Sequence, residues 1–177
     1  DLHGREHLSL HDALPIFPFR EESEDVFEWA IQNQPNWQPR YYLALLHSSR
    51  NNIANADELL SSIHEDIEFA PFYIIRSRVS KDISSQEADI KKAIFLSPNE
   101  WRYIHELTRF YLNNQEEKKA LETISPFYKK NQDHFHTALL FTRVLMRNNN
   151  YKQAEKALKG IHVLPSEGNR DGQRLHR

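Results

Sequence analysis

WRYIHELTRFYLNNQEEKKALETISPFYKKNQDH, residues Trp101–His134, lies over FHTALLFTRVLMRNNNYKQAEKALKGIHVLPSEG, residues Phe135–Gly168, at a constant offset of 34 residues. Leu107 falls on Phe141, Thr108 on Thr142, Arg109 on Arg143 and Asn114 on Asn148. Further on, Ala120 falls on Ala154, Ile124 on Leu158 and Phe127 on Ile161. Each unit carries two stretches of helical apolar spacing, separated by Asn113-Asn114-Gln115 in one unit and Asn148-Asn149-Asn150 in the other. Asn accepts the left-handed conformation that ends helices, so both turns close a helix hairpin. The small Ala120 and Ala154 stand where the returning helix passes close to the outgoing one, and large side chains follow four residues on.

Two helices per unit at this period resemble the tetratricopeptide (TPR) repeat, in which stacked hairpins bury their apolar faces against one another. The expected fold class is an all-α, TPR-like helix-hairpin solenoid of about four hairpins. The first helix, Glu24–Asn33, is expected to be capped by Ser23. Gln34-Pro35-Asn36-Trp37 breaks it, and Pro39 then suits the first turn of a helix running to about Arg50. Ala54–Glu65 returns. Phe72–Ser80 and Ser85–Leu96 form the next hairpin, Trp101–Leu112 and Glu116–Lys130 the third, His134–Arg147 and Tyr151–Lys159 the fourth. Asn99 and Asp133 are the expected N-caps of the third and fourth. Pro126 removes a backbone hydrogen bond inside a helix, so a kink or an early stop is expected near Ser125. Trp37 and Trp101 stand 64 residues apart, four short of two full repeats, which places a shortened connector near Glu65–Phe69. Leu164–Gly168 reads as an extended break, and Arg170–Arg177 as the opening of a further, truncated helix.

Composition agrees with this reading. The 177 residues are 39% hydrophobic and 27% charged with only four glycines, which is a folded helical composition and not a disordered one. No apolar run approaches 18 residues, so no stretch is expected to enter a membrane. Cysteine is absent, which excludes disulfides and thiolate zinc sites but leaves the compartment open between cytoplasm and periplasm. The net charge of −2 shows no basic excess that would point to nucleic acid.

The N-terminal stretch stands apart. Leu8–Ile16 reads LSLHDALPI and is similar to one translated frame of a sequencing adapter, so residues 1–16 are set aside as an artefactual tail. His3, His7 and His11 within it have the i, i+4, i+8 spacing of metal ligands on one helix face, weighed here against an unstructured tail. From Phe17 onward the chain carries 22 Lys+Arg and 22 Asp+Glu, a formal charge of zero.

Beyond the period, FPFREE (Phe17–Glu22), YYLAL (Tyr41–Leu45), FAPFY (Phe69–Tyr73), LSPNEWRY (Leu96–Tyr103), SPFYKKN (Ser125–Asn131) and LPSEGNRDG (Leu164–Gly172) follow in order. Together they resemble the C-terminal TPR region of a bacterial family in which the helices follow an N-terminal β-sandwich domain of unknown function. The resemblance implies an upstream β-domain, related to carbohydrate-binding or mutarotase-like folds and missing from this chain. It carries no catalytic residue across.

No catalytic motif survives inspection, and the chain is not expected to be an enzyme or to hold a cofactor or metal. His105-Glu106 opens like a zinc-protease motif, but Arg109 stands where its second histidine belongs. His134 and His136 point about 200° apart on a helix and read as surface histidines. Glu65, Asp66 and Glu68 cluster in a turn, where solvation competes with acid–base work. Trp37, Trp101 and Phe135 recur at hairpin starts, either as the seam between hairpins or as a platform for sugars or proline-rich peptides.

The better candidate is a surface. In a TPR array the first helix of each hairpin lines the concave wall. Arg102, His105, Arg109 and Asn113, spaced i, i+3, i+7, i+11, would face it from the third hairpin. His136, Arg143 and Arg147 would face it from the fourth, with Arg78 extending the row. Neighbouring hairpins bring Arg109 near Arg143, and like charges side by side call for an acidic partner. The alternative is that these arginines are solvated or paired with Glu106, Glu116 or Glu117. The expected role is a non-catalytic scaffold for a protein or peptide partner of acidic character, or for docking onto the missing N-terminal domain. The second reading is a helical accessory of a carbohydrate-active or sugar-binding protein.

Overall fold

The structure, a computed structural model, describes residues 22–33 and 36–160. The tail at residues 1–16 with its three histidines, the break at Leu164–Gly168 and the helix opening at Arg170–Arg177 lie outside the described residues. Among the described residues there are nine helices and no strand: α1 (Glu22–Asn33), α2 (Trp37–Ser49), α3 (Ile53–Ser61), α4 (Ala70–Val79), α5 (Ile83–Leu96), α6 (Trp101–Asn113), α7 (Glu117–Lys130), α8 (Phe135–Arg147) and α9 (Tyr151–Lys159). They form two compact units, one ending at Glu65 and one beginning at Asp66. Four hairpins result, as expected: α2–α3 in the first unit, and α4–α5, α6–α7 and α8–α9 in the second. No described helix is long and apolar enough to cross a membrane.

In the first unit α1 packs on α2, with Phe27 stacked on Tyr42 at 5.9 Å and Arg50 bonded to Glu24 at 2.6 Å. Ser23, expected as the cap of α1, lies inside that helix and is buried. The helix begins at Glu22, two residues before the expected Glu24. α3 ends at Ser61 and not at Glu65, where a run of turns takes over.

Three of the hairpins close with the same turn. Asn51, Gln115 and Asn149 have φ near 60°, and in each case the next residue donates its N–H to the carbonyl five residues back: Asn52 to His47, Glu116 to Tyr111 and Asn150 to Leu145, at 2.8–2.9 Å. This double-bonded C-terminal turn satisfies carbonyls that a helix end would leave open. Asn114 and Asn148 reinforce it by donating side-chain amides to the carbonyls of Phe110 and Val144. Four residues past each turn comes an alanine, Ala56, Ala120 or Ala154, at most 4% exposed, where the two helices touch. Thr108 and Thr142 are buried, and each satisfies its hydroxyl on the carbonyl four residues back.

The α4–α5 hairpin is built differently. α4 has 10 residues where α2, α6 and α8 have 13, so the shortening sits in this helix and not in the connector near Glu65–Phe69. Its turn passes through extended Ser80, and Asp82 caps α5 by accepting the Ser85 N–H at 2.7 Å. Arg76 spans the hairpin and grips Asp89 with two hydrogen bonds of 2.8 and 2.6 Å, while its guanidinium lies 5.0 Å from the Phe72 ring centre. Asp89 is only 5% exposed, so its charge is carried by Arg76 and not by water.

Three local expectations are corrected. The caps of α6 and α8 are Glu100 and His134, each one residue later than Asn99 and Asp133. Their side chains, not those of the preceding residues, reach the first free N–H groups. α7 also runs through Pro126 to Lys130 with no early stop. Pro126 is exposed, so water can take the Glu122 carbonyl it leaves without a partner. Beyond it, Tyr128 stacked on Phe141 at 4.2 Å anchors the last turn to α8, and the Asn131 amide closes the helix on the Phe127 carbonyl.

Two outcomes follow for denaturant unfolding. Gln115 holds a left-handed conformation that glycine adopts freely, so Gln115→Gly should raise stability by about 0.5–1 kcal/mol. Asp89→Ala strands a half-buried guanidinium and should cost about 3 kcal/mol, whereas replacing Arg76 and Asp89 together by apolar residues should cost less.

Candidate functional site

α6 and α8 are the first helices of adjacent hairpins and pack against each other. Beside the turns that end them lies an open cleft of about 640 Å³. Arg109, Leu112 and Asn113 line it from α6, Gln115 from the turn, Glu117 from the start of α7, and Arg143 and Arg147 from α8. Four of the eight residues read as a groove thus meet in one place: Arg109, Asn113, Arg143 and Arg147.

The other four do not reach it. Arg78 is gripped by Glu106 of the next hairpin through two hydrogen bonds of 2.8 and 3.2 Å. Arg102 bends over the Trp101 ring and bonds Glu100. His136 is exposed but stacks parallel to Trp101, at 5.8 Å. His105 is fully buried, with 0% exposure. Its helical spacing from Arg102 and Arg109 put it on the same face in projection, but α8 lies over that part of α6 and closes it. The seam reading of Trp101 matches its surroundings, since its ring lies 4.7 Å from that of His134 and 4.8 Å from that of His105.

The arginines divide by charge. Arg50, Arg76, Arg78, Arg102 and Arg147 each have a carboxylate within 3.2 Å. Pairing with glutamates of neighbouring helices therefore accounts for Arg78 with Glu106 and for Arg147 with Glu117. Glu116 takes Lys119. Arg109 and Arg143, both exposed, have no ion pair or side-chain hydrogen bond among the described residues. The cleft therefore presents three guanidinium groups against the one carboxylate of Glu117, which Arg147 already holds at 3.2 Å. Two planar cations and the Asn113 and Gln115 amides are left to address a ligand. That donor set suits carboxylate or phosphate oxygens, and it contains no nucleophile or base.

Asp66 accepts from Lys92 and from the Tyr73 hydroxyl, and these bonds hold its pKa below the ordinary carboxylate value. Among the described residues no group of three His, Cys, Asp or Glu side chains is placed to hold a metal.

A polar joint between α6 and α8 leaves no mark in the helical spacing. His105 Nε2 lies 2.9 Å from the Thr137 hydroxyl, which lies 2.7 Å from His134 Nδ1. His134 is not the surface residue that its angle to His136 suggests. It is half-buried, and its Nδ1 caps α8 by accepting the Thr137 N–H. The one signal available was the position of His134 just ahead of an apolar helical run, where a side-chain acceptor is needed.

No protein-family model matches the chain, and no curated protein matches it. Solved structures do. A crystal structure of MamA superposes with a TM-score of 0.71 at 14% identity, over 96% of this chain and 98% of the MamA chain. A second MamA structure gives 0.68 at 14% identity, over 80% and 87%. YrrB, described as a TPR protein with an unusual peptide-binding site, gives 0.63 at 17% identity, over 77% and 73%. At these identities the likeness is one of fold, and the fold is an all-α, TPR-like array of helix hairpins.

Proposed function

We propose that the protein is a non-catalytic scaffold that holds a protein or peptide partner, and that the cleft between α6 and α8 takes an acidic segment or a chain-terminal carboxylate. One observation carries this reading: Arg109 and Arg143 occupy equivalent positions in adjacent hairpins, lie in one cleft and lack the carboxylate that the other cleft arginine has. Like charges held side by side at a surface are unfavourable until an anion shares them. Arginine's planar fork matches a carboxylate with two hydrogen bonds. The fold likeness to YrrB, whose description names a peptide-binding site, adds support of the same kind. The sugar-accessory reading gains no support, since the Trp101 ring is covered by His134, His136 and Arg102 and offers no bare stacking platform.

The test is titration of a labelled oligo-aspartate peptide with a free C-terminal carboxylate, and of its amidated form, into the full chain. Arg109→Ala and Arg143→Ala should each weaken binding about tenfold, since a hydrogen bond to a charged group contributes about 1.5–3 kcal/mol. Both variants should unfold within about 0.5 kcal/mol of the parent, because neither side chain packs or pairs. Binding that survives both truncations sinks the cleft reading.

A further inference from the structure

The His105–Thr137–His134 joint is a group of buried and half-buried titratable side chains that the cleft does not use. Its hydrogens can be placed by elimination. His134 Nδ1 accepts the Thr137 N–H, so it carries a lone pair. The Thr137 hydroxyl, 2.7 Å away, then donates to that same nitrogen and must accept from His105, whose Nε2 is the donor. His105 Nδ1 is buried with no hydrogen-bond partner, so a proton there would find no acceptor and the ring is neutral.

We propose that this joint is an acid-sensitive latch between α6 and α8: it holds the two helices together only while both histidines are neutral, and its release disrupts the cleft that the same helices form. The second half of this statement rests on the reading of the cleft given above.

Two chemical facts support the latch. A proton on His134 Nδ1 removes the acceptor for both the Thr137 hydroxyl and the Thr137 N–H, so α8 loses its cap as the joint breaks. A proton on His105 Nδ1 places a cation in the core with no acceptor. The groups acting on the His105 ring are Arg109 on its own helix and His134 and His136 from the neighbouring hairpin, and all three oppose a positive charge. Most carboxylates of the packed elements are engaged elsewhere: Glu87 of α5 with Lys91 and Tyr111, Asp89 of α5 with Arg76, Glu100 with Arg102, Glu106 of α6 with Arg78, Glu116 with Lys119 and Glu117 of α7 with Arg147, while Glu122 of α7 is exposed to solvent. Trp101 covers the joint from above.

Burial, then Arg109, lowers the His105 pKa from 6.5 to about 4, and burial, then His136, lowers that of His134. An opened joint takes up its proton below about 6.5 and the closed one only below about 4. Acid therefore favours opening throughout that window, and above it pH has no effect. For His105 alone the ratio of open to closed rises about 20-fold from pH 7 to pH 5.

Hydrogen exchange of the full chain at pH 7 and pH 5, corrected for intrinsic rates, tests this. In the parent, amides of α6 and the first turns of α8 should lose at least about 20-fold in protection, His105 supplying that much and His134 adding to it, while α4 and α5 change less. A variant carrying His105→Gln and His134→Asn keeps a donor and a cap without titrating, and should lose little. Equal acid loss in parent and variant overturns the latch, as does a loss spread evenly over all helices of the unit, which reports global unfolding. If His105→Gln fails to fold, His134→Asn alone decides: the loss at α8 should drop to the about 20-fold that His105 supplies, because the further part contributed by His134 is gone, and a loss at α8 equal to the parent's overturns the proposal. With oligo-aspartate as probe, parent affinity should fall at pH 5 more than the variant's, and equal falls overturn control of the cleft. A peptide that binds neither protein at pH 7 counts against the cleft reading, and the exchange result still decides the latch.

Discussion

The left-handed residue that closes a hairpin is the constraint on which the rest of the fold depends. Once Asn51, Gln115 or Asn149 turns the chain, the next N–H is committed to a carbonyl five residues back and the direction of the returning helix is set. The residue five positions after the left-handed one must then be small, and alanine stands there each time. The repeated Asn, Ala and Thr of the sequence are the same statement made three ways: a closed turn, a close approach, and a buried hydroxyl with a local acceptor. The α4–α5 hairpin shows what replaces the device. It lacks the left-handed turn, and the Arg76–Asp89 pair crosses between its helices with both carboxylate oxygens engaged.

Stacking such hairpins repeats charge as well as shape. A side chain unnecessary for packing reappears one repeat later at nearly the same height, so Arg109 and Arg143 arrive in one cleft by construction. Among the described residues, Arg50, Arg76, Arg78, Arg102 and Arg147 have a carboxylate and Arg40 bonds the Asn36 carbonyl, so Arg109 and Arg143 are the two left with neither. Glu117 completes the pattern from the start of α7, where Asn148 also donates to its carbonyl at 2.8 Å and fixes the end of α8 against it. The cleft is thus walled by firmly capped helix ends, and its two free cations stand on rigid elements.

How much of this was legible follows from what periodicity records. It reports which face of a helix is apolar, so the hairpins, their turns and the pairing of Arg109 with Arg143 could be read in advance. It does not report what a neighbouring helix brings within 3 Å. Asp89 lies 13 residues from Arg76 on another helix, and nothing in its spacing marks it as buried. Histidine is worse placed still, because it is polar enough to line a groove and apolar enough to fill a core. The spacing of His105 points to the groove, yet it belongs to the core because α8 covers it. His134 is the residue before a helix and not on one, so its angle to His136 is irrelevant and its lone pair is what counts.

The cleft and the joint are coupled through one residue. Arg109 stands one helical turn from His105, so the cation that addresses a ligand also helps to keep that imidazole neutral. An anion seated against Arg109 cancels that contribution and makes His105 easier to protonate, in opposition to the requirement that the joint stay closed for the anion to bind. The order of causes decides between them. Burial is the larger influence on His105 and Arg109 the smaller, so an anion in the cleft relieves only the lesser part. Desolvation of the ring is removed by separating α6 from α8, not by filling the cleft, and a bound carboxylate that bridges Arg109 and Arg143 opposes that separation.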